Sequence, residues 1–287
     1  TGESMVNNAD NFPSLFPPGT TELIANSSFG DSIMIGLKGE NGYFYDALGG
    51  GFKFDLNELV KNTNEKENIS LIVYNKLLRS SGVAQFKGTG RILNPHLVAV
   101  DAKEYSAKYI VIATGGWPYL PNIPGIEHAI TSNEALDLET LPKSIVIVGG
   151  GFIAAEFAGI FNALETRVHQ IIRGPNILRG FDQSVQKSLE QEMEKKGVII
   201  QRNSNVTNIE KMDDGHFNIS LDSGKMIETD TIMYATGRNP NIENLGVTEV
   251  GIEVNKKGAI VVDEYSRTSV SNIYAIGDVT DRVNLTP

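Results

Sequence analysis

The chain has 287 residues, 40% hydrophobic and 21% charged, and a net charge of −10 from 25 basic and 35 acidic side chains. That composition fits a globular protein long enough for two domains with a sizeable core, and its acidity excludes a general nucleic-acid binder or a basic membrane-surface protein. No cysteine is present, so disulfides, thiolate metal sites and thiol nucleophiles are excluded within these residues.

The longest apolar run includes Glu156 and three adjacent glycines and is too short to cross a bilayer comfortably. No basic segment followed by an apolar core opens the chain, so no signal peptide is expected. Residue 1 is Thr, which points to a processed chain, a cut one or a piece of something longer. His96, His128, His169 and His216 are scattered without metal-ligand spacing, so no metal site is expected.

Residues 1–50 are weakly patterned. "NFPSLFPPGTTE" is turn-rich and Gly49, Gly50 and Gly51 close the segment, so irregular chain is expected there. From Leu56 to Leu78 apolar residues (Leu56, Leu59, Val60, Ile69, Ile72, Val73, Leu77, Leu78) recur at three- and four-residue steps, the pattern of a helix. "GVAQFKGTG", "HLVAVDAK" and "KYIVIATGG" read as short strands, the last one buried and closed by Ala113-Thr114-Gly115-Gly116. The proline-rich "WPYLPNIPG" reads as a connector between domains.

A βαβ unit follows. The strand Ile145–Val148 enters a glycine turn, a helix runs to about Leu164, and a second strand covers Val168–Ile172. Asp182 is a good N-cap for the next helix, with Val185, Leu189 and Met193 expected on its buried face and Gly197 just past its end. "GVIIQR" reads as a strand, and residues 206–235, broken by Asp-Gly and Ser-Gly, as an antiparallel meander. "DTIMYATGRNP" repeats the strand-then-Ala-Thr-Gly ending seen at residue 115, which suggests two nucleotide-binding domains of related design. "SVSNIYAIGDV" is a third buried strand, ending in Gly277-Asp278.

Gly149, Gly151 and Ala154 fit G-x-G-x-x-A between a strand and an apolar helix. The first glycine permits the tight turn, the second lets the backbone approach a pyrophosphate, and the small third residue lets helix and strand pack closely. Free N–H groups and the helix dipole then face the phosphates. An NAD-selective site usually carries Asp or Glu about 20 residues further on. Here the second strand runs into Arg173, and Arg179 follows. Two guanidiniums suit the 2′-phosphate of NADP, although arginines on a solvated loop would look the same. Glu156 either meets the nicotinamide amide or a lysine beside a flavin, or is a partly exposed helix carboxylate. Gly277-Asp278, at the carboxyl end of a strand, suits either ligand binding or a plain strand-to-turn junction. "NLTP" would start a helix at Thr286-Pro287 whose positive end faces an electron-rich ring.

In this order, "ATGGWPYLPNIPGIEHAITSNEAL", "GGGFIAAEFAGIFN", "ILRGFD", "ATGRNPN" and "VDEYSRTSVSNIYAIGDVTDRVNLTP" resemble the glutathione reductase family of flavoprotein disulfide reductases. The resemblance covers roughly residues 52–287, and the last segment is especially similar to plant forms. It implies an α/β fold with two nucleotide-binding domains of the FAD/NAD(P)-binding Rossmann-like type, with antiparallel meanders and an incomplete FAD domain. The implied division is 1–50 as a non-family segment, 51–117 as part of the FAD domain, 118–240 as the NADPH domain and 241–287 as the returning part of the FAD domain. By likeness, Gly150, Ile153, Glu156, Arg173, Arg179 and Gly237 would meet NADPH. Gly90 would lie at the adenine end of FAD, Asp278 at its ribitol, and Thr286 and Arg238 near its ring. Tyr74 would face glutathione, and Phe152 stands where the family usually has a tyrosine.

The implied activity is reduction of glutathione disulfide, with hydride passing from NADPH through FAD, in a homodimer located in plastid or cytosol, without nucleic-acid or membrane partners. The family's redox cysteine pair, its first glycine fingerprint and its interface domain have no counterpart in these residues, so no catalytic residue is assigned. The alternatives are a non-catalytic NADPH-binding module and a cysteine-free flavin diaphorase.

Overall fold

The computed structural model describes residue 73, residues 75–282 and two further strands, β1 (Glu22–Asn26) and β2 (Met34–Lys38). β1 and β2 pair antiparallel within a unit spanning 1–55, distinct from the unit 56–287. This pair departs from the irregular chain expected over 1–50, because five-residue strands are too short for a period to stand out. Tyr74 and Thr286 lie outside the described residues. So does most of the expected helix 56–78; its described end, 75–80, is helical.

The larger unit opens with a meander of β3 (Gly90–Asn94), β4 (Leu97–Val100) and β5 (Lys103–Ser106). Residues 83–88, read above as strand, form none. β6 (Ile110–Ile112) follows, then β7 (Gly116–Pro118) within the expected connector. Thr131 caps the single turn α1 (Ser132–Ala135).

Next come β8 (Ser144–Val148), α2 (Phe152–Ala163), β9 (Arg167–Ile171), α3 (Gln183–Lys195) and β10 (Ile199–Gln201). The second meander is β11 (Val206–Lys211), β12 (Phe217–Leu221) and β13 (Met226–Thr229). β14 (Thr231–Tyr234), β15 (Arg238–Pro240) and β16 (Ile273–Ala275) complete the strands.

β10, β9, β8 and β14 form a parallel sheet in that order. All five residues of β8 are buried, as a central strand covered on both faces requires. Ile145 and Ile147 point to the helices, where they meet Ala154, Phe157, Ala158 and Phe161 of α2. Those four positions recur at helical spacing and form one apolar stripe. Val146 and Val148 point the other way, to Val206, Ile209, Ile219 and Ile227 of the meander. The lobe is therefore three layers thick.

A smaller lobe pairs β6 with β16 in parallel over Ile92, Val247, Ile252, Ile260 and Val279. β6 is buried on one face only, since Val111 is 58% exposed between buried Ile110 and Ile112. The sequence reading of a fully buried strand is corrected here: the apolar run reflects β-branched preference as well as burial. The two lobes are joined by β7 paired antiparallel with β15. Each strand leaves an Ala-Thr-Gly, and each threonine hydroxyl bonds across the junction, Thr114 to the Asn241 carbonyl at 2.6 Å and Thr236 to the Tyr119 carbonyl at 3.2 Å. The internal echo in the sequence thus marks the two crossings between lobes.

Candidate functional site

The glycine turn lies at the carboxyl end of β8, where open α/β sheets bind ligands. Gly149 sits at φ +147°, and a Cβ there would lie 2.8 Å from the carbonyl carbon of Ala235 and nearer still to its oxygen. The close approach that excludes a side chain at Gly149 is therefore to the end of β14. At Gly151 the situation is the reverse: a Cβ would meet no atom of the described residues within 4 Å. Gly151 is also the N-cap of α2, with no side-chain cap and no acidic residue in the first turn. Among the described residues, the first N–H groups and the positive end of the dipole thus carry neither a capping side chain nor a first-turn carboxylate.

Behind the turn stands Gln170, fully buried in β9, whose Nε2 donates to the Gly149 carbonyl at 2.9 Å while its Oε1 has no partner among the described residues. In the sequence this clamp shows only as a glutamine beside His169 in β9, with nothing to mark its partner.

The loop from Ile172 to Asp182 folds back onto the turn. The Leu178 N–H donates to the Gly150 carbonyl, and a Cβ on Gly150 would meet Ile172 at 3.4 Å and the Asn176 carbonyl oxygen at 3.9 Å. Ile177 and Leu178 plug into the helix-side core. Arg173 and Arg179, before and after that plug, are exposed, and neither guanidinium has a hydrogen-bond or ion-pair partner among the described residues. No carboxylate occupies the end of β9.

α3 departs from its expected packing. Val185 is 48% exposed, and the buried residues are Gln186, Glu190 and Met193. The reason is the loop, which offers backbone groups to this helix face: Ile177 N–H donates to Glu190 Oε1 at 2.7 Å, and Gln186 Nε2 donates to the Phe181 carbonyl at 2.9 Å. Leu189 packs against the core as expected.

The remaining candidates are spread out. Ile153 is half-buried against the core, whereas Phe152 and Glu156, four apart on α2, are exposed. Gly237 follows β14 at φ +133°, and Arg238 Nη2 donates to the Gly116 carbonyl across the lobe junction. Asp278 is half-buried in the short 3-10 turn Gly277–Thr280 that ends β16. Gly90 begins β3 in the smaller lobe, with open space at its Cβ position.

Ser144, His216 and Asp230 meet at the opposite end of the parallel sheet. Ser144 N–H and Oγ donate to Asp230 Oδ2 at 2.6 and 2.7 Å, and His216 Nδ1 lies 3.0 Å from Oδ1. Hydroxyl and imidazole both hang on the carboxylate rather than on each other, which is a structural clamp and not a nucleophile with its base. Burial works to raise the Asp230 pKa, but the two Ser144 bonds and the charges of His216 and Lys143 bring it below the ordinary value. No group among the described residues could hold a metal ion, and no helix among them is long and apolar enough to cross a membrane.

A parallel sheet with a glycine turn at its carboxyl edge, backed by an antiparallel meander, defines a nucleotide-binding fold of the Rossmann-like type. The chain belongs to the pyridine nucleotide-disulphide oxidoreductase family, whose model matches residues 14–287. It is 45% identical over 235 residues to the chloroplastic/mitochondrial glutathione reductase of Pisum sativum, covering 82% of this chain and 43% of that protein. It is 40% identical over 262 residues to the trypanothione reductase of Trypanosoma congolense, covering 84% and 53%. The solved HOCl-induced flavoprotein disulfide reductase RclA from Escherichia coli superposes with a TM-score of 0.74 at 26% identity, covering 81% of this chain and 54% of that one. The chain spans about half the length of the curated relatives it matches.

Proposed function

We propose that this chain carries the NADPH-binding part of a glutathione-disulfide reductase. The observation that carries the reading is the pairing of an unfilled, anion-ready glycine turn with two unpartnered arginines on the loop packed against it. The N–H groups from Gly150 to Ala154 would take the pyrophosphate, and Arg173 and Arg179 would take the 2′-phosphate. Gly237 lies just beyond β14, the strand beside β8, and Glu156 lies one turn beyond Phe152 on α2. Both are assigned to the nicotinamide side of the dinucleotide.

When bound, NADPH supplies a hydride and FAD passes its electrons on. In the smaller lobe, Asp278 would accept hydrogen bonds from the ribitol hydroxyls, Gly90 would lie at the adenine end, and Arg238 and Thr286 near the ring. Tyr74 is assigned to glutathione. The thiol half of the reaction needs cysteines that these 287 residues do not contain. The proposal keeps the domain division given above, a homodimer, and a plastid or cytosolic site, of which the plastid is in line with the chloroplastic/mitochondrial relative from Pisum sativum.

Two measurements test this. NADPH should bind at least about tenfold more tightly than NADH, an energy of about 1.4 kcal/mol, and Arg173→Ala with Arg179→Ala should erase the difference. A preference that survives the double substitution rejects the assignment. Flavin absorbance of the purified chain, before and after NADPH, decides whether the smaller lobe holds FAD. Glutathione disulfide and trypanothione disulfide, compared as oxidants of the reduced flavoprotein supplied with a redox cysteine pair, separate the two substrate classes named among the relatives.

A further inference from the structure

The loop carrying Arg173 and Arg179 forms neither helix nor strand between Ile172 and Asp182. It contains Gly174, Pro175 and Gly180, and Leu178 sits at φ +52°. Four bonds fix it in place. Asn203 N–H donates to the Gly174 carbonyl at 3.1 Å, Leu178 N–H to the Gly150 carbonyl, Ile177 N–H to Glu190 Oε1 at 2.7 Å, and Gln186 Nε2 to the Phe181 carbonyl at 2.9 Å.

Two of these four come from one face of α3. Gln186 and Glu190, one helical turn apart, are only 8% and 6% exposed. A carboxylate is rarely buried this far unless it is paired, and an apolar residue would fill the same space at lower desolvation cost. Glu190 is paired on both oxygens: Oε1 holds the loop, and Oε2 receives Arg202 Nη2 at 3.1 Å. Arg202 is itself steadied by Glu194 at 2.9 Å. The pinned residue, Ile177, is fully buried and lies between the two arginines in the loop.

Resting on the assignment of Arg173 and Arg179 to the 2′-phosphate, we infer that Glu190, braced by Arg202, is a positioning residue that sets selectivity for NADP(H) over NAD(H). Charge-assisted pairing of guanidinium with phosphate depends on geometry. A loop released from Glu190 keeps both arginines but loses their common register. NAD(H), which has no 2′-phosphate, relies on the glycine turn alone and is affected less.

The test is titration of the full 287-residue chain with NADP+ and with NAD+, read as the ratio of the two dissociation constants. Glu190→Leu should reduce the preference for NADP+ by about tenfold. Glu190→Gln keeps an acceptor for Ile177 N–H and should stay within about 1.5-fold of the original ratio. An unchanged ratio in Glu190→Leu, alongside a lost preference in the Arg173→Ala, Arg179→Ala double variant, overturns the inference and leaves the arginine assignment standing. An unchanged ratio in the double variant overturns both. Should Glu190→Leu not fold, Arg202→Gln carries the test, with a loss of about threefold expected and no loss overturning it. Ile219→Ala, in the core on the far face of the sheet, should lower Tm without moving the ratio. If it does move the ratio, the effect is general destabilisation and the inference fails.

Discussion

Replacing Gly149 and Gly151 separately with alanine should divide folding from binding. At Gly149 the new methyl would be driven into the Ala235 carbonyl and lie 3.2 Å from the Ala154 Cβ, at a φ of +147°. Unfavourable backbone conformation costs about 1–3 kcal/mol, and overpacking a tight contact costs about 1–3 kcal/mol more. A loss of about 2–6 kcal/mol is a large part of the 5–15 kcal/mol typical of a domain. Gly151 has ordinary backbone, φ −85°, and nothing within 4 Å of the added methyl. Alanine is a poorer N-cap by up to about 1 kcal/mol, while the unfolded chain loses entropy worth about 0.4–1 kcal/mol. The net change in stability at Gly151 should stay within about 1 kcal/mol. Its methyl would instead occupy the space through which a pyrophosphate approaches, and NADP+ affinity should fall by about tenfold or more. Urea unfolding measures the first effect and NADP+ titration the second. Wild-type stability in Gly149→Ala, or wild-type affinity in Gly151→Ala, would show that the two glycines do not divide folding from binding in this way.

The clamp at the far end of the sheet should matter for stability alone. Asp230→Asn removes the charge on which Ser144 and His216 converge, and urea unfolding should show a loss of about 1.5–3 kcal/mol with nucleotide affinity unchanged. The depressed pKa of Asp230 adds stability that is present above its unfolded value of 3.8 and is lost as pH falls through the folded value. His169 follows the same direction at higher pH. Burial, with help from Lys225 and Arg167, lowers its pKa from 6.5, so the unfolded state binds more protons just below that pH. Its contribution is therefore present above pH 6.5 and lost as pH falls below it, and His169→Asn should flatten the stability profile in that range.

Much of the fold can be traced to short sequence patterns. Ile145–Val148 is an unbroken β-branched run closed by glycines, and the helix it feeds repeats small and aromatic residues at helical spacing. Asp182 caps α3 by accepting from Ser184 N–H, and Gly197 follows the helix at φ +100°. These are local signals, and local signals are what a sequence displays. What stayed hidden depends on partners distant in the chain. Gln186 and Glu190 look like the solvent face of a helix until the loop's backbone N–H and carbonyl groups are seen beside them. Gln170 looks misplaced until the Gly149 carbonyl arrives. Trp117 and its neighbours read as a connector because the strand they form exists only through pairing with Arg238–Pro240. The pair Arg173 and Arg179 was visible as charge, but the Leu178–Gly150 bond that sets the loop against the turn has no sequence signature.

The most direct measurement is the structure of the chain crystallised with NADP+. The pyrophosphate should lie on the N–H groups that begin α2, and the 2′-phosphate within hydrogen-bonding distance, about 3 Å, of both Arg173 and Arg179. A dinucleotide bound at the turn with its 2′-phosphate in solvent, or one bound away from Gly149–Gly151, would contradict this placement.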